Sequence, residues 1–227
     1  MPTASSHHAS PSFWDRVAAK YAKQPIKDPA AYQATLVRLR ALLNPADHVL
    51  EVGCGTGGTA RELAPHLASI TGTDGSRVMI DIAKARLGAS ASADVTFLVA
   101  DAADLVSGHP FDAICGFSLL HLVSDIPGVL RSVHDQLKPG GLFISNTVAL
   151  SNANILVRLF VRVLMAFGVA PPVNFLSTDD LSSHLRAAGF EIEEVGYFTA
   201  SQTNPFIVAR TSAGSSRIDD PERPANP

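Results

Sequence analysis

The sequence predicts a doubly wound α/β domain, on three observations. From His48 onward, short β-branched apolar runs alternate with segments whose apolar residues recur every three to four positions. The first of these runs ends directly in a glycine-rich turn, Gly53-Cys54-Gly55-Thr56-Gly57-Gly58. The composition is that of an ordinary globular chain: 227 residues, 46% apolar, 17% charged, net charge −3. Strands alternating with helices need crossover connections, hence a mainly parallel sheet covered on both faces.

The elements follow in order. Ser12 to Leu43 carries two helical patterns, the second opened by Asp28 and Pro29, a cap residue followed by proline in the first turn. His48 to Val52 reads as a strand, and Ala60, Leu63, Ala64 and Leu67 give the helix after the glycine turn. Then come a strand at Ile70 to Thr73, a helix at Arg77 to Leu87, strands at Val95 to Ala100 and Phe111 to Phe117, a helix at Ile126 to Leu137 and a strand at Leu142 to Val148. Ala153 to Gly168 reads as a helix apolar almost all round, which predicts that it is buried, over an apolar substrate, against a second subunit or in a membrane surface. Ser177, with Asp180 three residues on, caps a helix running to Ala188. Two last strands, Glu191 to Tyr197 and Pro205 to Ala209, are joined too tightly for a parallel crossover and are therefore antiparallel.

This gives one domain over residues 11–210, with N-terminal helices at 11–44 and an inserted cap at 149–176. Residues 1–10 and the Ser-, Pro- and charge-rich tail 211–227 bury too little apolar surface to order. The charge balance lacks a basic stripe and excludes nucleic acid as the main partner. Cys54 and Cys115 stand far apart with no CxxC, which suggests neither a disulfide nor a zinc site and fits a reducing cytoplasm. His7 and His8 have no partner at ligand spacing and are discounted as a metal pair. The start of the chain has neither the basic nor the apolar region of a signal peptide, and no apolar run reaches the ~20 residues that span a bilayer.

The glycine turn sits where an open α/β sheet places a ligand, at the carboxyl end of its first strand. Gly53, Gly55 and Gly58 satisfy GxGxxG literally, which alone would fit a dinucleotide pyrophosphate. Its neighbours are acidic. Asp74 ends the second strand where a carboxylate can accept two hydrogen bonds from a ribose diol, Asp101 ends the third, and Glu51 stands two residues before the turn. Three acids suit a ligand with hydroxyl and amino donors and a positive charge, and repel a pyrophosphate.

With VLEVGCGTGGTA at 49–60, TGTDGS at 71–76, VADAADL at 99–105, FDAICGFSLLHL at 111–122 and LKPGGLFI at 137–144, the chain resembles the class I S-adenosylmethionine-dependent methyltransferases, in particular their ubiquinone/menaquinone-type small-molecule branch. The resemblance implies a Rossmann-like seven-stranded sheet with an antiparallel last strand, and S-adenosylmethionine as cofactor. It implies that Gly53, Cys54, Gly55 and Thr56 line the methionine part, with Glu51 near its amino group. Asp74 and Gly75 would meet the ribose, Asp101 and Ala102 the adenine edge, and Met79 the adenine face, or else the core. Phe117 and Ser118 end the fourth strand at the methyl-transfer position, and Tyr21 would fold over the cofactor from the N-terminal helices.

Methyl transfer from a sulfonium asks mainly for alignment and exclusion of water. A base is needed only for a protonated acceptor, and His121 is the best-placed candidate because imidazole titrates near neutrality. Trp14, His121, Arg158 and Phe175 are the candidate substrate contacts; Arg158 and Arg162, four apart, share a helix face and suit an anionic acceptor group or a lipid phosphate. The expectation is a cytoplasmic monomer or homodimer acting at O, N, S or C of a small, apolar acceptor, with membrane-surface contact a lesser alternative. The rivals are a nicotinamide-dependent oxidoreductase and a non-catalytic S-adenosylmethionine-binding partner protein.

Overall fold

The computed structural model describes residues 11–87, 94–104 and 110–212. Helices α1 (Pro11–Tyr21) and α2 (Pro29–Leu42) precede strand β1 (His48–Val52). Asp28 caps α2, its carboxylate accepting from the Ala31 amide at 2.9 Å. The sequence pattern continues the next helix to Leu67, but α3 (Gly58–Leu63) stops early and Ala64–His66 form a 3₁₀ turn. Pro65 lacks the amide that would continue the α ladder. Strand β2 (Ser69–Asp74), helix α4 (Arg77–Leu87), strand β3 (Asp94–Val99), strand β4 (Phe111–Phe117) and helix α5 (Ile126–Gln136) follow.

The sheet order is β3-β2-β1-β4, then β5 (Leu137–Asn146), β7 (Pro205–Thr211) and β6 (Phe190–Tyr197). Pairings from β3 through β5 are parallel, and β7 runs antiparallel to both of its neighbours. The expected doubly wound, seven-stranded sheet with one reversed last strand is the observed one. Several strand limits differ from the sequence reading, most of them by one or two residues. β5 begins at Leu137, five residues early, because Leu137 pairs with Phe111 before the Lys138–Gly141 bulge shifts the register; Lys138 there ion-pairs with Asp112 at 2.6 Å. Thr211, expected in the tail, belongs to β7: it is buried and its hydroxyl donates to the Lys138 carbonyl at 2.9 Å. The rest of the expected tail beyond Ser212, and residues 1–10, lie outside the described residues.

The period of two along each strand sends neighbours to opposite faces. Val49 and Ile144 join Leu36, Leu39, Ile80 and Phe97 on one face of the sheet; Leu50 and Phe143 join Ile114, Leu130 and Leu185 on the other. Each such side chain contributes roughly 1.5–3 kcal/mol by leaving water. The two layers fix the strand tips, and thereby the site.

Helix α6 (Ile155–Ala166) is not covered by the described chain, so the burial expected for it has to come from outside these residues. Its start is capped by the Asn154 side chain, which accepts from the Leu156 amide at 2.9 Å. None of its residues is buried: Leu156 is 71% exposed and Phe160 62%, and Phe167 just beyond is 78% exposed. Arg158, Val161, Leu164 and Met165 are half-shielded, while the opposite side packs on nothing in the described chain. An apolar helix must be covered, but its own sequence does not say by what. Helix α7 (Thr178–Ala187) then opens with the predicted capping box of Ser177 and Asp180.

Candidate active site

The strand order reverses between β1 and β4, and the crevice of such a sheet lies outside the carboxyl ends of those strands. The turn after β1 forms its floor. Gly53 has φ +71°, and a Cβ there would lie 2.9 Å from the Leu119 Cδ1 carbon, so only glycine fits. The Asp74 carboxylate at the tip of β2 ties this turn down: Oδ2 accepts from the Gly55 amide at 2.9 Å and Oδ1 from the Ser76 amide at 2.8 Å. Burial raises the Asp74 pKa, the two amides counter it, and Asp15 nearby adds to the rise.

Glu51 is 4% exposed, and its Oε2 has no hydrogen-bond partner. Burial, partly offset by the Ala60 amide and reinforced by Asp74, pushes its pKa up to about 8, so the carboxyl is protonated at neutral pH unless a positive group arrives. The Asp101 carboxylate, at the tip of β3, accepts from the Ala103 amide at 2.9 Å. The neighbouring Ala102 packs against the core, and Met79 of α4 is buried. Gly75 is exposed.

Two predicted contacts take a narrower form. The Cys54 thiol turns into the core beside Gly72, with burial pushing its pKa up, so only its backbone faces the turn. The Thr56 hydroxyl is engaged by the Arg86 guanidinium at 2.7 Å. At the end of β4, Phe117 packs on the core and Ser118 is exposed in the left-handed region, φ 51°, its amide donating to the Asn146 carbonyl at 2.7 Å. A non-glycine residue held there is a strained strand end of the sort that clusters at functional sites.

His121 follows immediately. It is 9% exposed, its Nδ1 has no partner, and burial lowers its pKa to about 4, so the ring is neutral at physiological pH. Its carbonyl accepts from the Asn174 amide at 2.7 Å, and the Asn174 side chain donates to the Val123 carbonyl at 2.6 Å. These bonds bring the chain returning from α6 against His121. Phe175 is next in line, under the Arg162 guanidinium at 4.9 Å, and its carbonyl accepts from the Ser151 hydroxyl at 2.7 Å. Arg158 lies on the half-shielded side of α6, with its Nε buried and unpartnered.

The N-terminal helix forms the other wall. Tyr21 places its ring edge 4.0 Å from where a Gly55 Cβ would be. Its hydroxyl pKa is raised by burial and by Asp74 and Glu51. Trp14 stacks edge-on against Tyr21 at 6.2 Å. The sequence reading missed what holds this wall. Asp15 accepts from the Ser76 hydroxyl at 2.5 Å and from the Val78 amide at 3.2 Å, and Arg86 donates to the Ala22 carbonyl as well as to Thr56. Ser76 was legible as a helix cap, since its hydroxyl also accepts from the Met79 amide at 3.1 Å. Asp15, Arg86 and Asn174 gave no local signal because their partners are 30 to 64 residues away in sequence.

Residues 24–195, well over half the chain, match the family model described as a methyltransferase domain. The chain belongs to the class I S-adenosylmethionine-dependent methyltransferases. Among curated relatives it is 33% identical to the O-methyltransferase cnsE of Penicillium expansum, over 67% of this chain and 56% of that protein. It is 31% identical to the ubiquinone biosynthesis O-methyltransferase of Xylella fastidiosa, over 65% of this chain and 62% of that one. The match thus spans about three-fifths of these relatives. The magnesium protoporphyrin IX methyltransferase of Synechocystis, solved with S-adenosylhomocysteine, shares the fold: TM-score 0.66 at 22% identity, over 88% of this chain and 93% of that chain.

The methyltransferase cofactor fits the residues present. The Glu51 carboxyl, neutral on its own but with a free Oε2, ionises beside an ammonium group and then offers it both a hydrogen bond and a charge. A glycine floor admits close approach of a ligand, and the acids at three strand tips favour a cation over a diphosphate. Family membership sets the nicotinamide alternative aside.

Proposed function

We propose that this chain transfers a methyl group from S-adenosylmethionine to O, N, S or C of a small, apolar acceptor in a reducing cytoplasm. The observation that carries the reading is the acidic ring around the glycine turn, with Glu51 buried and its Oε2 lacking a partner. When bound, the cofactor supplies an electrophilic methyl on a sulfonium, so the chain itself need only position the acceptor, exclude water and, for a protonated acceptor, hold a proton. Gly53, Gly55 and the backbones of Cys54 and Thr56 hold the methionine part, Asp74 and Gly75 the ribose, and Asp101, Ala102 and Met79 the adenine. Phe117, Ser118 and Tyr21 enclose the reacting end.

Trp14, His121, Phe175 and Arg158 form the acceptor's surroundings, with Arg158 turned to an anionic substituent through the buried Nε that none of the described residues satisfies. His121 takes the acceptor's proton at its free Nδ1. Because that ring titrates near pH 4, its part in turnover is constant through the neutral range and is lost only as the pH falls towards 4. The two cysteines, both free and buried, suit a reducing compartment. The likeness to relatives named O-methyltransferases, one of them in ubiquinone biosynthesis, supports methylation on oxygen.

Calorimetry with S-adenosylhomocysteine and NAD, with labelled-methyl transfer into an extract, tests the reading. S-adenosylhomocysteine binds and NAD does not; Asp74→Ala weakens binding by about 1.5–3 kcal/mol, roughly ten- to a hundredfold. His121→Ala lowers kcat more than it changes KM. NAD preference, unchanged affinity in Asp74→Ala, or cofactor binding without any methylated product would each defeat it.

A further inference from the structure

We infer that the outward face of α6 docks this chain on the surface of an anionic phospholipid bilayer. At 3.6 residues per turn, Ile155, Leu156, Leu159, Phe160, Val163 and Phe167 fall on one stripe along the helix and its first C-terminal residue. All six are exposed large apolar side chains. Monomeric chains rarely leave so contiguous an apolar patch in water, and such a patch marks an interaction surface. Arg158 and Arg162 fall together at one edge of the stripe, between it and the shielded side. Arg162 is exposed and braced over Phe175.

A helix with an apolar stripe and arginines along its border is the arrangement that lies in a membrane interface, the apolar face among the acyl chains and the guanidinium reaching phosphate. Charge decides the occupant. From Pro139 to Thr178 the chain carries Arg158 and Arg162 and no carboxylate, although the whole chain is net −3. A second copy seated on α6 by a two-fold axis would bring arginine edges together with no acid on the helix to receive them. A phosphate surface supplies that missing anion. The helix is too short to span, and no described helix is long and apolar enough to cross a membrane, so the contact is with the surface.

The docking does not depend on what the site does, but it has a consequence for it. The Asn174 bond to His121 puts the end of the cap against the candidate site, so an acceptor dissolved in the bilayer would arrive beside the cap that covers it.

Co-sedimentation of the full chain with phosphatidylglycerol/phosphatidylcholine vesicles tests the inference. The chain partitions onto these vesicles and much less onto pure phosphatidylcholine. Leu156→Asp with Phe160→Asp lowers partitioning at least about tenfold, while its melting curve and S-adenosylhomocysteine affinity stay as in the parent. Arg162→Glu lowers it about fivefold or more. No partitioning, equal partitioning onto neutral vesicles, or an unaffected double variant overturns the inference. So does sedimentation velocity showing an α6-dependent dimer that ignores lipid. S-adenosylhomocysteine binding is read separately, so loss of docking and loss of the cofactor site are told apart.

Discussion

The two walls flanking the candidate site are built on different principles. The N-terminal wall is tied by polar contacts to fixed strand and helix ends: Asp15 to Ser76 and Val78, Arg86 to Thr56 and Ala22. The cap is tied at its two feet, by Ala149 to Thr203, Ser151 to Phe175 and Asn152 to Thr178 at one and by Asn174 to His121 and Val123 at the other, and the helix between them presents apolar side chains outward. On the proposed function, the cofactor contacts are thus held by directional bonds whose geometry is set before a ligand arrives, which is what precise alignment for methyl transfer needs. The cap is held by its ends, and its outer face is left uncovered by the described residues. Recognition of the cofactor and of the acceptor would then fall to different walls.

The largest effect expected on the fixed side comes from Gly57→Ala. Gly57 has φ +73°, and a Cβ there would lie 2.6 Å from the Phe97 ring. The left-handed backbone costs an L residue about 1–2 kcal/mol, and overpacking adds about 1–3 kcal/mol. Urea denaturation should therefore show a loss of roughly 2–5 kcal/mol. The same substitution at Gly168, which is also left-handed at φ +66° but has open space around its Cβ, should cost only the backbone share. Equal losses at both would erase the contrast between a rigid floor and a loose cap.

Glu51→Gln gives a smaller effect of two opposite signs. The folded carboxyl titrates near pH 8 against an ordinary 4.5, so the folded state holds a proton that the unfolded state has released between these values. The stability this provides is present in full below pH 4.5 and is lost as the pH rises through 8. Gln removes the titration. The ligand-free variant should exceed the parent by about 1–3 kcal/mol at pH 8 and by much less at pH 5, while binding S-adenosylhomocysteine more weakly. Parallel stability profiles for the two proteins from pH 5 to 8 would refute the buried, unpartnered placement.

The contrast between the walls also marks what the sequence could reveal. Helix α4 matches its periodicity residue for residue, and Val49 and Leu50 alternate faces, because local period and pairing geometry act over a few residues. Glu51, Gly53, Asp74 and Asp101 are legible because each stands at a strand tip, a position the chain order defines. Asp15 and Arg86 are not, since only the completed fold brings them to Ser76 and Thr56. The apolar run of α6 was legible as a helix, yet its exposure was not: hydrophobicity says that a surface avoids water and is silent on its partner. Likewise the early start of β5 depends on the long-range pairing of Leu137 with Phe111.

The smallest predicted effect sharpens the comparison most. Asp15→Ala removes the acceptor for the Ser76 hydroxyl and the Val78 amide, partly exposed hydrogen bonds worth about 1 kcal/mol together. Asp15 itself is not placed against the ligand, so the loss should fall on the wall's hold. S-adenosylhomocysteine affinity drops several-fold, and amide exchange in α1 speeds up while that of the β1 and β4 strands is unchanged. Asp15→Asn, which keeps an acceptor oxygen, restores most of the affinity. It also removes the charge that helps to raise the Asp74 pKa. If Asn fails where Asp succeeds, the N-terminal wall is held by charge at the α4 terminus and not by the hydrogen bonds, and the wall then responds to salt.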